Sequence, residues 1–157
     1  MNPKHDGGSL EYETFQKDKF IFRIPKNTGF FFDEYGCWAY LSGNKARIGI
    51  TDLVRQSLYD IIFFIPPVVG TAIHQLGEIG TIESAKAVFA IASPVTGKVT
   101  MVNEALVADP ELINQNPYEK GWIAEVEVAD FENDRKALLD LAEYLPVFKR
   151  KINEFRI

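Results

Sequence analysis

Lys86 lies in TIESAKAVFAIASPVTGKV, residues 81–99, between two short apolar segments and flanked by Ala85 and Ala87, where a surface lysine ordinarily has polar company. A lysine at a tight hairpin tip with small neighbours holds its amine in open solvent, where it can attack an activated acyl group. Taken alone, such a lysine is more simply a solvated turn, and Lys98 and Lys120 stand in turns of similar appearance. Other chemistry is sparse. The chain contains no GxSxG, HExxH, P-loop or GxGxxG sequence. Asp33–Glu34 and Glu125/Glu127 could be paired carboxylates but read more simply as solvated faces. Cys37 is the only cysteine, which excludes an intrachain disulfide and an all-cysteine metal site. The two histidines are His5 and His74. An enzyme acting alone is the weaker reading, and no metal is expected.

Composition narrows the class further. With 157 residues, 46% hydrophobic and 25% charged, the chain can bury one real core. A formal net charge of -5 supplies no basic field for a phosphate backbone, so no nucleic-acid partner is expected. The most apolar window, IIFFIPPVV (residues 61–69), is too short to span a bilayer and is broken by Pro66 and Pro67, so no membrane association is expected. The polar start MNPKHDGGSLEYETFQKDK has no apolar h-region, which points to a cytoplasmic location.

The elements that must position Lys86 are short strands. FIFRI, CWAYL, ARIGI, IIFFI, EIGTIE, AVFAIA, KVTMV and WIAEVEV follow one another with Gly, Pro and Asn punctuation, which predicts a mostly β sandwich or flattened barrel. Thr51 and Asp52 can cap a short helix to about Ser57, Asp109–Pro110 a second, and Asp130 a third. Residues 1–18, rich in charge with Gly7 and Gly8, read as a flexible lead-in, residues 19–129 as the domain, and residues 130–157 as a helical extension packing on it. In that extension Leu138, Leu141, Leu145, Phe148, Ile152 and Phe155 form an apolar stripe expected to dock on the domain's own sheet. Pro146 is expected to divide it into two helices, the second projecting.

Four blocks together, IGITD (48–52), IESAKA (82–87), SPVTGKVTMVNEAL (93–106) and PELINQNPYEKGW (110–122), resemble the H proteins of the glycine cleavage system, over a stretch from about Trp38 to Val128. The resemblance implies a lipoyl-domain-like flattened barrel of the hammerhead type, with lipoic acid in amide linkage to the lysine of the E-S-x-K-A motif, here Lys86. It implies a non-catalytic carrier whose dithiolane is reduced, loaded and reoxidised at successive enzymes. The implied partners are glycine decarboxylase, aminomethyltransferase and dihydrolipoamide dehydrogenase, with a lipoate ligase or lipoyl transferase to attach the arm. Glu83 and the small Ser84, Ala85 and Ala87 would admit the attaching enzyme to the turn. Biotin carriers flank their lysine with methionines, so biotin fits less well. Pro94 and Gly97 fit a turn, and Trp122 a core anchor at a strand start.

Departures from the family gather around the arm. Ala90 stands where the family has an aspartate that helps hold the aminomethylated arm, and Gly36 and Cys37 stand in place of the histidine and glutamate of H-E-W, with Tyr35 at a serine position. Losing both carboxylates removes charge-assisted hydrogen bonds to an amine and leaves a more apolar arm cleft at Cys37 and Ala90. The arm is therefore expected to carry another cargo or to support glycine cleavage poorly. Cys37 is either a small buried hydrophobe beside Trp38 or a thiol that exchanges with the dithiolane. The alternatives are an H-like lipoate-binding protein relaying sulfur intermediates to a heterodisulfide-reductase-like complex, and an unmodified interaction module.

Overall fold

The computed structural model describes residues 9–156. Its elements run β1 (Tyr12–Lys17), β2 (Phe20–Pro25), β3 (Phe30–Phe32), β4 (Cys37–Ser42), β5 (Lys45–Ile50), α1 (Asp52–Leu58), β6 (Ile61–Ile65), β7 (Ala72–Ile73), β8 (Glu78–Ser84), β9 (Val88–Ala92) and β10 (Gly97–Val102). Then follow α2 (Glu104–Ala108), α3 (Leu112–Gln115), β11 (Ala124–Val128), α4 (Phe131–Asp134), a 3-10 turn (Arg135–Ala137) and α5 (Leu141–Glu154). All named strand pairs are antiparallel, as short strands joined by tight turns require.

A six-stranded sheet in the order β3-β4-β5-β11-β10-β7 forms one layer, and a three-stranded sheet β6-β8-β9 forms the other. Alternation along each strand fills the space between them with apolar, mostly aliphatic side chains: Ile61, Phe64, Ile82 and Ile91 from the small sheet meet Ala46, Ile48, Val99 and Val126 from the large one. Gly97 stands opposite Val128 where β10 pairs with β11. A Cβ there would lie 2.1 Å from the Glu127 carbonyl oxygen, so this glycine serves close strand approach rather than the turn predicted for it.

A second, aromatic cluster joins the two ends of the chain. The β1–β2 hairpin brings in Phe15 and Phe22, β3 and β4 contribute Phe30, Phe32, Trp38 and Tyr40, and α5 lays Tyr144, Phe148 and Ile152 onto them. The domain boundaries therefore need correction. Residues 12–17 are a strand paired along its whole length with β2, not lead-in, because Phe15 and Tyr12 pack on the aromatic cluster. His5 and the two lead-in glycines lie outside the described residues.

The C-terminal segment also differs from expectation. It breaks after Ala137, not at Pro146, and α5 runs unbroken through Pro146. Asp140 starts α5 with a reciprocal capping box, accepting from the Glu143 backbone (2.8 Å) while the Glu143 side chain accepts from the Asp140 backbone (2.9 Å). Since Phe148 and Ile152 beyond the proline are buried, packing compensates the hydrogen bond that Pro146 cannot donate, and the second half docks rather than projects. Thr51 caps α1 as predicted, through its side chain to the Val54 backbone.

Tyr118 of the NPYEKGW block is fully buried, its hydroxyl donating to the Arg23 carbonyl (2.9 Å) and accepting from the Asp52 backbone N–H (2.9 Å). That single side chain ties the loop, β2 and the start of α1 together. Trp122, the expected anchor, is instead half-buried two residues before β11, with the Arg47 guanidinium 4.0 Å above its ring.

Candidate functional site

The β8–β9 hairpin carries Lys86 at its tip. Glu83 pairs with Val88 at the last ladder position, and the Ser84 backbone N–H donates to the Ala87 carbonyl (2.9 Å) across the turn. Ser84 then locks the turn from within. Its hydroxyl donates to the Ala87 carbonyl (3.1 Å) and accepts from the backbone N–H groups of Lys86 (3.2 Å) and Ala87 (3.0 Å). Neither Ala85 nor Lys86 has positive φ, so the turn is held by these hydrogen bonds without the left-handed residues on which the favoured two-residue hairpins rely. Ala85, Lys86 and Ala87 are all exposed.

The other two candidate lysines are differently placed. Lys98 lies within β10, opposite Glu127 and Ala72, and is not in a turn. Lys120 is in a turn whose carbonyl accepts from the Asn103 side chain (2.9 Å), which holds that loop against the domain.

Strand register sets what surrounds the tip. Phe63, Glu83 and Val88 form one row on the outer face of the small sheet, and Ile65, Thr81 and Ala90 the next. The inner face takes Ile82 and Ile91. Four residues along the chain from Lys86, about 13 Å at most at strand rise, the exposed Ala90 joins Tyr35, Leu76 and Ala92 in lining a cavity of about 410 Å³. Among the described residues no carboxylate lines it. Gly36, between Tyr35 and Cys37, adopts φ 99°, and a Cβ there would lie 2.3 Å from Val54 Cγ2 and 3.8 Å from the Phe89 ring, so a glycine lets this turn pack against α1 and β9.

Cys37 does not face that cavity. It is 1% exposed within the aliphatic core, and burial, reinforced by the charge of Asp33, pushes its thiol well above the ordinary range while contact with the Ala92 backbone opposes the rise only in part. A thiolate is the exchanging species, so this site disfavours dithiolane exchange, and the expectation of Cys37 in the arm cleft is corrected to a core position one layer behind it. Asp33 itself is buried, with Oδ1 accepting from the backbone of Tyr35 (2.8 Å) and Cys37 (3.0 Å) and Oδ2 without a partner.

Two residues near the site had no legible signal in the sequence: Leu76 lines the cavity from a left-handed conformation (φ 70°), and Tyr59 places its ring 5.3 Å beneath the Lys86 ammonium. Asp33 and Glu125, read as parts of solvated carboxylate pairs, are instead buried. Among the described residues no cluster of His, Cys, Asp and Glu could hold a metal, and no helix is long and apolar enough to cross a membrane.

The chain matches the family described as glycine cleavage H-protein over residues 30–151. It is 46% identical over 107 residues to a glycine cleavage system H protein of Listeria monocytogenes serotype 4a (strain HCC23), covering 68% of this chain and 85% of that one. A Brevibacillus brevis protein of the same name is 42% identical over 126 residues, covering 80% and 98%. The mitochondrial H protein 2 of Arabidopsis thaliana is 43% identical over 107 residues, 68% of each chain. A crystal structure of the Mycobacterium marinum H protein superposes with a TM-score of 0.68 at 26% identity, covering 78% of this chain and 98% of that one. A match across most of the chain, relatives aligned over most of their own length and a shared sandwich together place this chain in the glycine cleavage H-protein family.

Proposed function

We propose that Lys86 is the residue that bears the lipoyl arm, and that the cavity lined by Tyr35, Leu76, Ala90 and Ala92 receives the arm's distal end. As a member of its family the chain is a non-catalytic carrier with lipoate covalently attached to a lysine. The observation that carries Lys86 is its place at an exposed tip between two alanines, on a turn that Ser84 holds rigid. Removing bulk beside the amine admits an attaching enzyme, and a rigid base under a long arm fixes the point from which the arm swings. Glu83 and Val88, at the foot of the turn, offer a mixed acidic and apolar patch to a lipoate ligase or transferase.

When attached, lipoate supplies a dithiolane that partner enzymes reduce, load and reoxidise. The partners that follow from the family are glycine decarboxylase, aminomethyltransferase and dihydrolipoamide dehydrogenase. The relatives are named for glycine cleavage, which leaves the sulfur-relay and unmodified-module alternatives without support. Among the described residues, the cavity's lining of methyl groups, a leucine and an aromatic ring favours an uncharged arm end and offers a cationic one no carboxylate. Intact-mass measurement after co-expression with a lipoate ligase tests the assignment. A lipoyl-sized increment on the wild type that disappears in Lys86→Ala is expected, and an increment that survives Lys86→Ala overturns it.

A further inference from the structure

The carrier role above makes no use of Tyr59, yet Tyr59 is held in place at some cost. It closes α1 with φ 64° and ψ −128°, a region that side chains other than glycine avoid and that persists only where the surroundings impose it. Asn114 imposes it here, donating to the Tyr59 carbonyl (2.8 Å) while its own side chain is tied to both carboxylate oxygens of Glu111 (3.0 and 3.1 Å) on the neighbouring turn. The residue stays 44% exposed, at the rim of a recess of about 270 Å³ that it shares with Arg55, Asp60 and Asn114. Arg55 is already engaged by Asp52 (2.8 Å). The ring therefore stands free beneath Lys86, whose Nζ lies 5.3 Å from its centroid, within the range of a cation–π contact.

Sheet order places this contact on one flank of the hairpin and the cavity on the other. Tyr59 leads into β6, whose Ile61 pairs with Ser84, whereas Ala90 and Ala92 lie on β9, and β8 runs between them.

We propose that Tyr59 is a positioning residue that reads the charge at the end of the Lys86 side chain, holding the unmodified ammonium on the β6 flank and releasing the side chain once it is acylated. The proposal rests on Lys86 being the attachment point. In the attachment step the Lys86 nitrogen bonds to the carbonyl carbon of an activated lipoyl adenylate. The bond from that carbon to the activating phosphate oxygen breaks, the nucleotide leaves as an anion, and two protons leave the nitrogen. No oxidant or reductant is needed. The product amide carries no charge, so the electrostatic attraction to the ring is lost and the arm is free to reach the β9 flank. The bare lysine meanwhile is kept on the β6 flank, away from the cavity on the β9 flank.

Solution NMR of the full chain with lysine ε-carbon labelling tests this, the Lys86 signal being assigned by its loss in Lys86→Arg. The ring current of Tyr59 is expected to shift the Lys86 ε-protons upfield in the wild type and in Tyr59→Phe. That shift is expected to vanish in Tyr59→Leu, and in the wild type after lipoylation. Because the contact is made in the ground state and must be broken for attack, kcat/KM for attachment by a lipoate ligase should rise about two- to fivefold in Tyr59→Leu, through KM, and stay near wild type in Tyr59→Phe. Equal ε-proton shifts in wild type and Tyr59→Leu, or equal attachment kinetics, overturn the role of Tyr59. Absence of any lipoyl increment on wild-type Lys86 overturns the attachment assignment and the release step with it, a failure distinct from an unshifted resonance.

Discussion

Phe148 and Phe63 are the same side chain in opposite circumstances. Phe148 is 0% exposed, with Phe15 edge-on at 5.7 Å and Tyr144 stacked at 5.8 Å, in the cluster that clamps the two ends of the chain to β3 and β4. Phe63 is 55% exposed on the outer row of the small sheet, beside Glu83 and near Val88, which is 65% exposed. One region uses its apolar surface to hold the fold together. The other leaves it facing solvent next to the hairpin that carries Lys86, where a carrier that visits several enzymes needs surface to offer them. Stability and exchange are thus assigned to different sheets, and substitutions should separate them.

The largest separation is expected from truncating these two rings. Phe148→Ala should cost about 3–5 kcal/mol of unfolding free energy in a denaturant titration, because it opens a cavity in a packed cluster. Phe63→Ala should cost about 0.5 kcal/mol or less, while weakening productive encounter with whichever partner docks on that face. Comparable destabilisation by both would show the small sheet's outer face to be structural.

A smaller effect is expected where the two regions meet. Asp33, between the Tyr35 turn and α5, has its carboxyl raised above the usual range by burial, against opposing hydrogen bonds from the backbone of Cys37 and Tyr35. A raised acid binds its proton more tightly in the folded chain than in the unfolded one. Its contribution is therefore intact below the ordinary carboxylate value and is lost as pH rises through the raised one. Asp33→Asn keeps an acceptor for both backbone donors and removes the buried charge, so it should gain about 1 kcal/mol at neutral pH, the gain shrinking towards acid. A gain that does not depend on pH would point away from ionisation.

Much of the sandwich was legible from alternation and turn residues: the eight strand candidates from FIFRI to WIAEVEV all fall on or across observed strands, and the Thr51 cap is where predicted. Of the three strands missed, β7 is only two residues long, and β1 and β3 owe their burial to distant partners. Residues 12–17 look polar because only Tyr12 and Phe15 reach the aromatic cluster, and the three phenylalanines of β3 offer no alternation to read. Pro146 misled because its local cost is real but is outweighed by the burial of Phe148 and Ile152 beyond it. At the site, Lys86 and Ala90 could be picked out because they lie on one hairpin. Tyr59 could not, since its position depends on a backbone conformation that Asn114 stabilises from another helix. Cys37 is the small buried hydrophobe that one of its two readings expected, whereas its alternative place in the arm cleft is not observed, because the first residue of β4 points into the core at 1% exposure.

The smallest change in stability, and the most informative for the arm, is expected at Ala90. It is exposed, and Ala90→Asp should alter the unfolding free energy by no more than about 0.5 kcal/mol. The same substitution places a carboxylate on the rim of a cavity whose other lining residues are Tyr35, Leu76 and Ala92. A cationic amine at the end of the arm then gains a partner at a solvent-accessible site, worth about 0.2–1 kcal/mol, and its lifetime on the isolated carrier should lengthen by a factor of about 1.4 to 5. An uncharged arm end gains nothing, so its reactivity with dihydrolipoamide dehydrogenase should stay unchanged. Salt distinguishes a charge effect from a change of shape, because raising ionic strength should erase the added lifetime in Ala90→Asp and leave the wild type as it was. If Ala90→Asp and Ala90→Asn lengthen the lifetime equally, hydrogen bonding rather than charge governs retention, and the apolar lining is not what sets the arm's preference.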